Sequence, residues 1–421
     1  MARRIYLGIL SMIIFAGCTE RREFKDGEWR ALLLRKDGNN IVFNFEVKDS
    51  AGRKILYVRN AGERLLVDSV TVEGDSVLIR MPFFESQLRG VLTADGNLEG
   101  VWLIHLADSW RPMPLRAFYG ESYRFRGDSA AGAPASANGR WAAVFRSPKG
   151  KDTTFRVGEF RQTAPGGPAG TGAPEVTGTF LDAGGDLRYL EGIMDGDTLR
   201  LSTFDGNHNY YFKARVIGDS MVGGMMYGGP VNYYTWTAVK DPTAHLEDQY
   251  AITKWKKDMP FGFTFKDLDG HPVSLSDPRF KGKVVLVQIM GSWCPNCMDE
   301  TQFLSRFYDE YRDKGVEIVS LAYERSTDFE RSARDVRTFQ QRFDVKYPML
   351  ITGVTVSDPL KGEKTLPQLD GIHDFPTTIF VGKSGKIEKI HTGFSGPGTG
   401  EHYGEQKKEF YDEVNELLAE K

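Results

Sequence analysis

The sequence predicts an α/β C-terminal domain preceded by an all-β region of two repeated antiparallel, barrel-like modules. Three observations predict it. Residues 24–240 consist of short alternating apolar and polar runs separated by turn dipeptides, at the spacing of a meander. That stretch contains itself twice. After residue 257 the pattern changes to continuous apolar runs alternating with helical spacing. At 421 residues the chain suggests two or three domains of about 150 residues each. Its 46 glycines and 12% aromatic residues suit twisted strands and tight turns better than helical bundles.

Taken in order, residues 1–17 read as a lipoprotein signal peptide. Arg3-Arg4 supplies a positive start, and the apolar run 5–16 is too short to span a bilayer, which needs about twenty residues. The run ends in Phe15-Ala16-Gly17-Cys18, which resembles the bacterial lipobox, where the cysteine becomes the lipidated first residue. An ordinary signal peptide with an incidental Cys18 is the alternative. The expectation is an exported protein in the cell envelope, facing the periplasm and held to a membrane by lipid on Cys18.

Residues 18–125 form the first β-rich module. Runs such as Ile41-Val42-Phe43-Asn44-Phe45-Glu46-Val47 alternate, and Asp37-Gly38, Gly74-Asp75 and Asp95-Gly96 mark turns between them. Residues 126–138, rich in Ala, Gly, Ser and Pro, read as a linker. Residues 139–240 form the second module, with Gly139-Arg140-Trp141 echoing Gly27-Glu28-Trp29 and the turn at 195–198 echoing that at 73–76. A Gly- and Pro-rich tract at 163–174 reads as a hairpin loop inside it. Each module offers about eight strands, enough for a small closed barrel. Two halves of one larger sheet would fit the same repeat. Residues 241–257 are a polar connector.

The last segment, 258–421, is different. Residues 283–290 are a continuous apolar run, as in a strand buried on both faces. Helical spacing follows over 298–311, a strand at 316–322, and a charged amphipathic helix at 328–343. Strands at 377–381 and 386–390 flank Lys383-Ser384-Gly385, and a last helix starts near Gly404. Strands alternating with helices imply an α/β sandwich with a largely parallel first half.

Cysteine arithmetic points to the chemistry. Of three cysteines, lipidation would consume Cys18 and leave Cys294 and Cys297, two residues apart. A loop that small contributes little chain entropy as a structural staple, so the pair is for chemistry. It follows the buried strand and opens a helix. There Cys294 meets unsatisfied N–H groups and the positive end of the helix dipole, which favour a thiolate, while Cys297 lies one turn in, placed to attack a mixed disulfide on Cys294. A structural zinc would need two more ligands; no second cysteine pair exists, and His373 and His391 are the histidines that could in principle help. No metal or other cofactor is expected beyond a redox-active Cys294–Cys297 disulfide. The formal charge of −3 gives no bulk attraction to nucleic acid.

Residues 261–421 resemble the TlpA/ResA-type thioredoxin-like family of exported, anchored thiol–disulfide oxidoreductases. The resemblance is carried by Phe265-Lys266-Asp267-Leu268-Asp269-Gly270, by Phe280-Lys281-Gly282-Lys283 and the strand after it, by Trp293 to Cys297, and by Phe375-Pro376-Thr377. It implies a thioredoxin-like fold for this domain and leaves the β-rich half uncovered. It implies a cis Pro376 facing the cysteines, with Phe375 offering backbone hydrogen bonds to an extended substrate. Trp293, Phe375, Pro376 and Gly393 would then border the substrate groove, Gly393 by letting a backbone approach closely. Glu300 matches an acid kept beside the cysteines, where it would tune thiol pKa values and relay protons; a solvated helix charge is the plain alternative. Gln288 stands where thioredoxin has a buried acid, so it cannot be the base. No proline follows Glu300, and 352–370 is longer than a minimal thioredoxin needs, flanking or covering the groove. His391 reads as a structural histidine more readily than as a proton shuttle.

The resemblance favours a reductase that exchanges its dithiol with disulfides of exported proteins such as apo-cytochrome c, and is itself kept reduced by a membrane thiol–disulfide electron donor. An oxidase or isomerase is the runner-up, because potential decides direction and Pro295-Asn296 does not settle it. A peroxiredoxin would need Thr or Ser where Trp293 stands. A β-barrel binding lipoprotein with an accessory redox domain is the reading from a different class.

Overall fold

The computed structural model describes residues 22–128, 134–150, 152–164, 172–256 and 258–420. The signal segment and Cys18 lie outside the described residues. No helix among the described residues is long and apolar enough to cross a membrane.

Both β-rich modules are antiparallel meanders whose first and last strands pair. In the first, nine strands run from Gly27–Leu33 to Ser109–Tyr119, and these two meet in register, Trp29 opposite Tyr119. Its sheet has a seam: Glu63–Val67 and Ser69–Glu73 are its two ends in the ladder, joined by Asp68 alone. In the second, Thr153–Gln162 pairs with both Gly139–Arg146 and Glu175–Asp182, so eight strands close into a ring. The two-residue strand Gly185–Asp186 is an addition to it. No helix occurs among the described residues of either module.

The sequence repeat is a structural repeat. Trp29 and Trp141 are both fully buried, and each indole N–H donates to the carbonyl four residues earlier, Lys25 O at 3.0 Å and Ala137 O at 2.9 Å. Gly27 and Gly139, two residues before them, both take positive φ (121° and 106°), a conformation that a side chain disfavours. Alternate residues of each strand point inward. Trp29 stacks on Phe45 in the first core, and Phe145 on Trp236 in the second.

The modules keep separate sheets but pack tightly together. Phe204 of the second stacks on Phe43 of the first at 4.1 Å, and Asn60 bonds both the N–H and the carbonyl of Phe204. Buried Arg124 donates to Ser202 O and to Asn60. The 126–138 stretch is pinned at its end, where Ala135 N donates to Gly196 O and Ala137 N to Gln162; 129–133 lie outside the described residues. So do 165–171 of the hairpin-loop tract, which joins the paired strands Thr153–Gln162 and Glu175–Asp182.

The polar connector is fastened rather than loose. It carries a short helix, Gln249–Ile252, and its Lys254 backbone bonds Asp370 in both directions, while Thr253 bonds Thr392.

The C-terminal domain is a seven-stranded mixed sheet. Val284–Met290, Val316–Ala322 and Met349–Ile351 run parallel, linked by helices Pro295–Tyr311 and Phe329–Arg342. Thr377–Val381 pairs antiparallel to Val284–Met290 on its other side, with Ile387–Thr392 beyond. All seven residues of Val284–Met290 are buried, which is why that stretch reads as an unbroken apolar run. Asp328 caps helix Phe329–Arg342 by accepting from Arg331 N at 2.7 Å, and only Ser332, Ala333, Val336 and Phe339 of it are buried. The last helix runs Glu401–Ala419. In residues 352–370, Thr365 bonds at 2.6 Å to Tyr323, whose ring packs edge-on against Phe375, and Leu369 bridges to Trp255.

Candidate active site

The central strand Val284–Met290 ends at Gly291, and the chain turns through Ser292 and Trp293 into helix Pro295–Tyr311. A Cβ at Gly291 would sit 2.1 Å from the Trp293 indole nitrogen, so glycine lets the indole fold back over the turn. Pro295 occupies the first helical position, where its missing N–H costs no hydrogen bond. Cys294 is the N-cap: its sulfur accepts from Cys297 N at 3.2 Å, as a capping hydroxyl would. This donor and the helix dipole both favour negative charge on that sulfur. Cys294 is 5% exposed and Cys297 is fully buried. Burial pushes the Cys297 thiol well up, and the hydrogen bond and charge of Cys294 add to the rise, with the charge of Glu300 adding less. The two sulfurs therefore differ in access.

Phe375 and Pro376 face this turn from the neighbouring loop. The Phe375–Pro376 bond is cis, and the Cys294 thiol is 3.7 Å from the Phe375 carbonyl. Trp293 packs edge-on against Phe375 at 5.4 Å, and its indole N–H donates to Tyr323 O. Ser292 is held by Glu324, which accepts from its N–H and its hydroxyl at 2.8 Å each.

Glu300 lies beneath the cysteines, fully buried, so it is not a solvated helix charge. Its carboxylate accepts from Thr378 Oγ at 2.7 Å and from Gln288 Nε2 at 2.8 Å; Gln288 in turn accepts from Ser320. Burial pushes the carboxyl up to about 7, against the pull of these two hydrogen bonds. Such a group exchanges protons near neutral pH. His391 is buried between Tyr250 and Phe410, and burial pushes it down to about 4, leaving it neutral.

Gly393 has φ +87°, and its N–H donates to Pro376 O at 2.7 Å. The backbone that approaches it belongs to this chain: a Cβ there would lie 2.2 Å from Ala183 O, in the second barrel. Both barrels in fact pack around the site. Asn207 donates to Trp293 O at 3.3 Å, and Arg325 spans from the Trp293 face to Asn207 and His105 O. Phe83 of the first barrel stacks on Phe343 at 5.2 Å, and Arg331 reaches Glu85 and Ala107 O. A cleft of about 170 Å³ remains between Phe83, Phe84, Trp293 and Arg325.

One buried arginine ties the three parts together. Arg188 of the second barrel contacts Asp299 of the cysteine-bearing helix and Glu63 of the first barrel, with Asp205 3.8 Å away. The surrounding carboxylates hold the guanidinium charged, while burial pushes Asp299 up to about 8 against the pull of Arg188. None of Arg188, Asp299, Asn207, Phe83 or Arg325 stands out in the sequence. Each is an ordinary residue type at a loop or helix position, and only distant packing gives it a role. Among the described residues, the group of three acidic and histidine side chains close enough to hold a metal ion, Asp267, Asp269 and His271, sits on an exposed turn whose N–H groups already use Asp267.

Comparison with known proteins places similarity in this domain. Residues 256–406 match the Redoxin family. Over 125 residues the chain is 31% identical to the thiol-disulfide oxidoreductase ResA of Bacillus thuringiensis subsp. konkukian, covering 30% of this chain and 62% of that protein. It is 30% identical over 131 residues to the thioredoxin-like protein YneN of Bacillus subtilis, covering 31% of this chain and 68% of the relative. The chain thus spans a little under two thirds of the ResA proteins it matches. Among solved structures, the thioredoxin domain of a thiol-disulfide oxidoreductase from Bacteroides vulgatus is similar at 27% identity and TM-score 0.27, covering 36% of this chain and 95% of that one.

Proposed function

The chain belongs to the ResA-type thioredoxin-like proteins through its Redoxin domain, and on that premise we propose that it is a thiol–disulfide oxidoreductase working through Cys294 and Cys297. The observation that carries this reading is the asymmetry of the pair, Cys294 capping a helix opposite the Phe375 carbonyl and Cys297 buried behind it.

The exchange runs in two displacements. The Cys294 thiolate attacks one sulfur of a substrate disulfide; a mixed disulfide forms and the other substrate sulfur leaves as a thiolate. Cys297 then loses its proton and attacks the Cys294 sulfur. The Cys294–Cys297 disulfide closes, and the second substrate sulfur leaves. Two electrons pass to the substrate, which takes up two protons as a dithiol. Glu300, buried with a pKa of about 7, is the group suited to accept the Cys297 proton. Run backwards, the same steps oxidise a dithiol.

We propose the reductive direction, with disulfides of exported proteins such as apo-cytochrome c as substrates. A membrane thiol–disulfide donor would restore the dithiol, and lipid on Cys18 would hold the chain at the periplasmic face of a membrane. Replacing Cys297 with Ser should trap covalent protein partners in quantity, and replacing Cys294 almost none; equal trapping would void the assignment. A reduction potential near about −270 mV supports a reductase, and one near about −120 mV an oxidant. Replacing Cys18 should release the protein from membranes, and continued association would overturn the anchor.

A further inference from the structure

Strand Glu175–Asp182 turns back through Ala183 and Gly184 into the two-residue strand Gly185–Asp186, making a short hairpin at the rim of the second barrel. This turn lies on the exchange site. Its Gly184 carbonyl accepts from the Asn296 side chain, between the two cysteines, at 3.0 Å and from Phe394 N at 3.2 Å. Ala183 O occupies the space a Cβ on Gly393 would need, and a Cβ on Gly185 would stand 2.1 Å from Phe394 O. These are backbone-to-backbone contacts made possible by glycine on both sides, the kind an extended peptide makes when it docks on a ledge. Beside the turn, Asp186 accepts from Gly396 N at 2.8 Å, and Arg188 holds Asp299. Within its own barrel the hairpin is paired at Leu181 with Asp186 and Asp182 with Gly185, and Leu187 N donates to Phe180 O at 2.9 Å, so its base is laddered and its tip at 183–184 is not. A tip beyond the last ladder pair can open locally without unfolding the ring.

Resting on the disulfide-exchange reading above, we propose that residues 183–185, the tip of this hairpin, are a gate over the exchange site, hinged on the anchored Asp186 and Arg188. In the closed position they fill, in cis, the ledge formed by Asn296, Gly393 and Phe394. A protein disulfide needs that ledge to seat its backbone, so it reacts only from the open fraction, and its apparent rate falls in proportion. A small disulfide has no backbone to seat and is held back far less.

The test uses the full reduced chain with insulin as the protein disulfide and a dipyridyl disulfide as the small one. Gly184→Asp places a carboxylate where a Cβ already meets Asp374 Oδ1 at 2.8 Å, which pushes the turn off the site. The expected result is insulin reduction faster by about tenfold or more, with the dipyridyl rate within about twofold of wild type. An unchanged or lower insulin rate would overturn the gate. Wild-type protein inert to both disulfides would instead sink the exchange reading itself. A second measurement does not depend on that variant. Cys297→Ser is trapped as a mixed disulfide with a cysteine peptide from insulin, and amide hydrogen exchange is followed. Residues 183–185 should lose protection on trapping; retained protection would overturn the gate.

Discussion

Thr378 donates its hydroxyl to the Glu300 carboxylate at 2.7 Å, deep under the cysteine pair. One residue of the strand after the cis proline thereby holds the only carboxyl that this helix buries directly behind Cys297, Asp299 being turned to the barrels. Burial at this place, against the pull of the Thr378 and Gln288 hydrogen bonds, turns an acid that would be charged in water into one that titrates near neutrality.

Glu300→Gln should therefore remove a pH dependence. In the wild type, closure of the Cys294–Cys297 disulfide from a mixed disulfide is expected to accelerate as pH rises through about 7, where Glu300 becomes a base. Stopped-flow resolution rates across pH should lose that inflection in the variant. Stability changes too. A carboxyl whose folded pKa is raised favours the fold below its unfolded pKa, near 4.5, and that contribution is lost as pH rises to about 7. Glu300→Gln should flatten this loss, worth on the order of 3 kcal/mol at most, in denaturation curves taken between those limits.

The two cysteines should differ in alkylation. Cys297 is fully buried with its thiol pushed well up, whereas Cys294 is at the helix cap. Limited iodoacetamide at neutral pH should modify Cys294 at least about tenfold faster, as read by peptide mass spectrometry. Comparable rates would contradict the buried position of Cys297.

Trp29→Phe and Trp141→Phe should cost similar stability, because each removes the same indole bond from a fully buried tryptophan to the carbonyl four residues earlier. A loss of about 1–3 kcal/mol each is expected from the orphaned acceptor. Urea unfolding read by circular dichroism checks it, and a large effect in one module alone would break the equivalence.

Arg188→Met should destabilise the chain by about 3–5 kcal/mol, since it strands Asp299, Glu63 and Asp205 without their counter-charge. Adding Asp299→Asn should recover part of the loss, measured by thermal unfolding. No recovery would mean that the two residues are not coupled.

Much of the local architecture was legible because it follows from period and spacing. The strand 316–322, the helix after the cysteines and the twin Gly-x-Trp starts are all encoded by residues within a turn or a strand of one another. So is the Cys-Pro-Asn-Cys turn. How the polar connector is fastened was not legible, because its ties, Lys254 to Asp370 and Thr253 to Thr392, join residues more than a hundred positions apart. The number of strands in the first barrel, nine rather than about eight, depends on a seam at Asp68 that no alternation pattern reveals.

By itself, then, the sequence determined the elements, the repeat and the placement of two cysteines at a helix start, since helix capping, strand alternation and thiol placement are local physics. Only the tertiary structure decided what surrounds them. Packing buried Glu300 and so set its titration, brought Arg188 to Asp299, and laid Ala183 and Gly184 on the ledge at Gly393. Those relations depend on desolvation and on contacts between distant segments, and neither leaves a period in the chain.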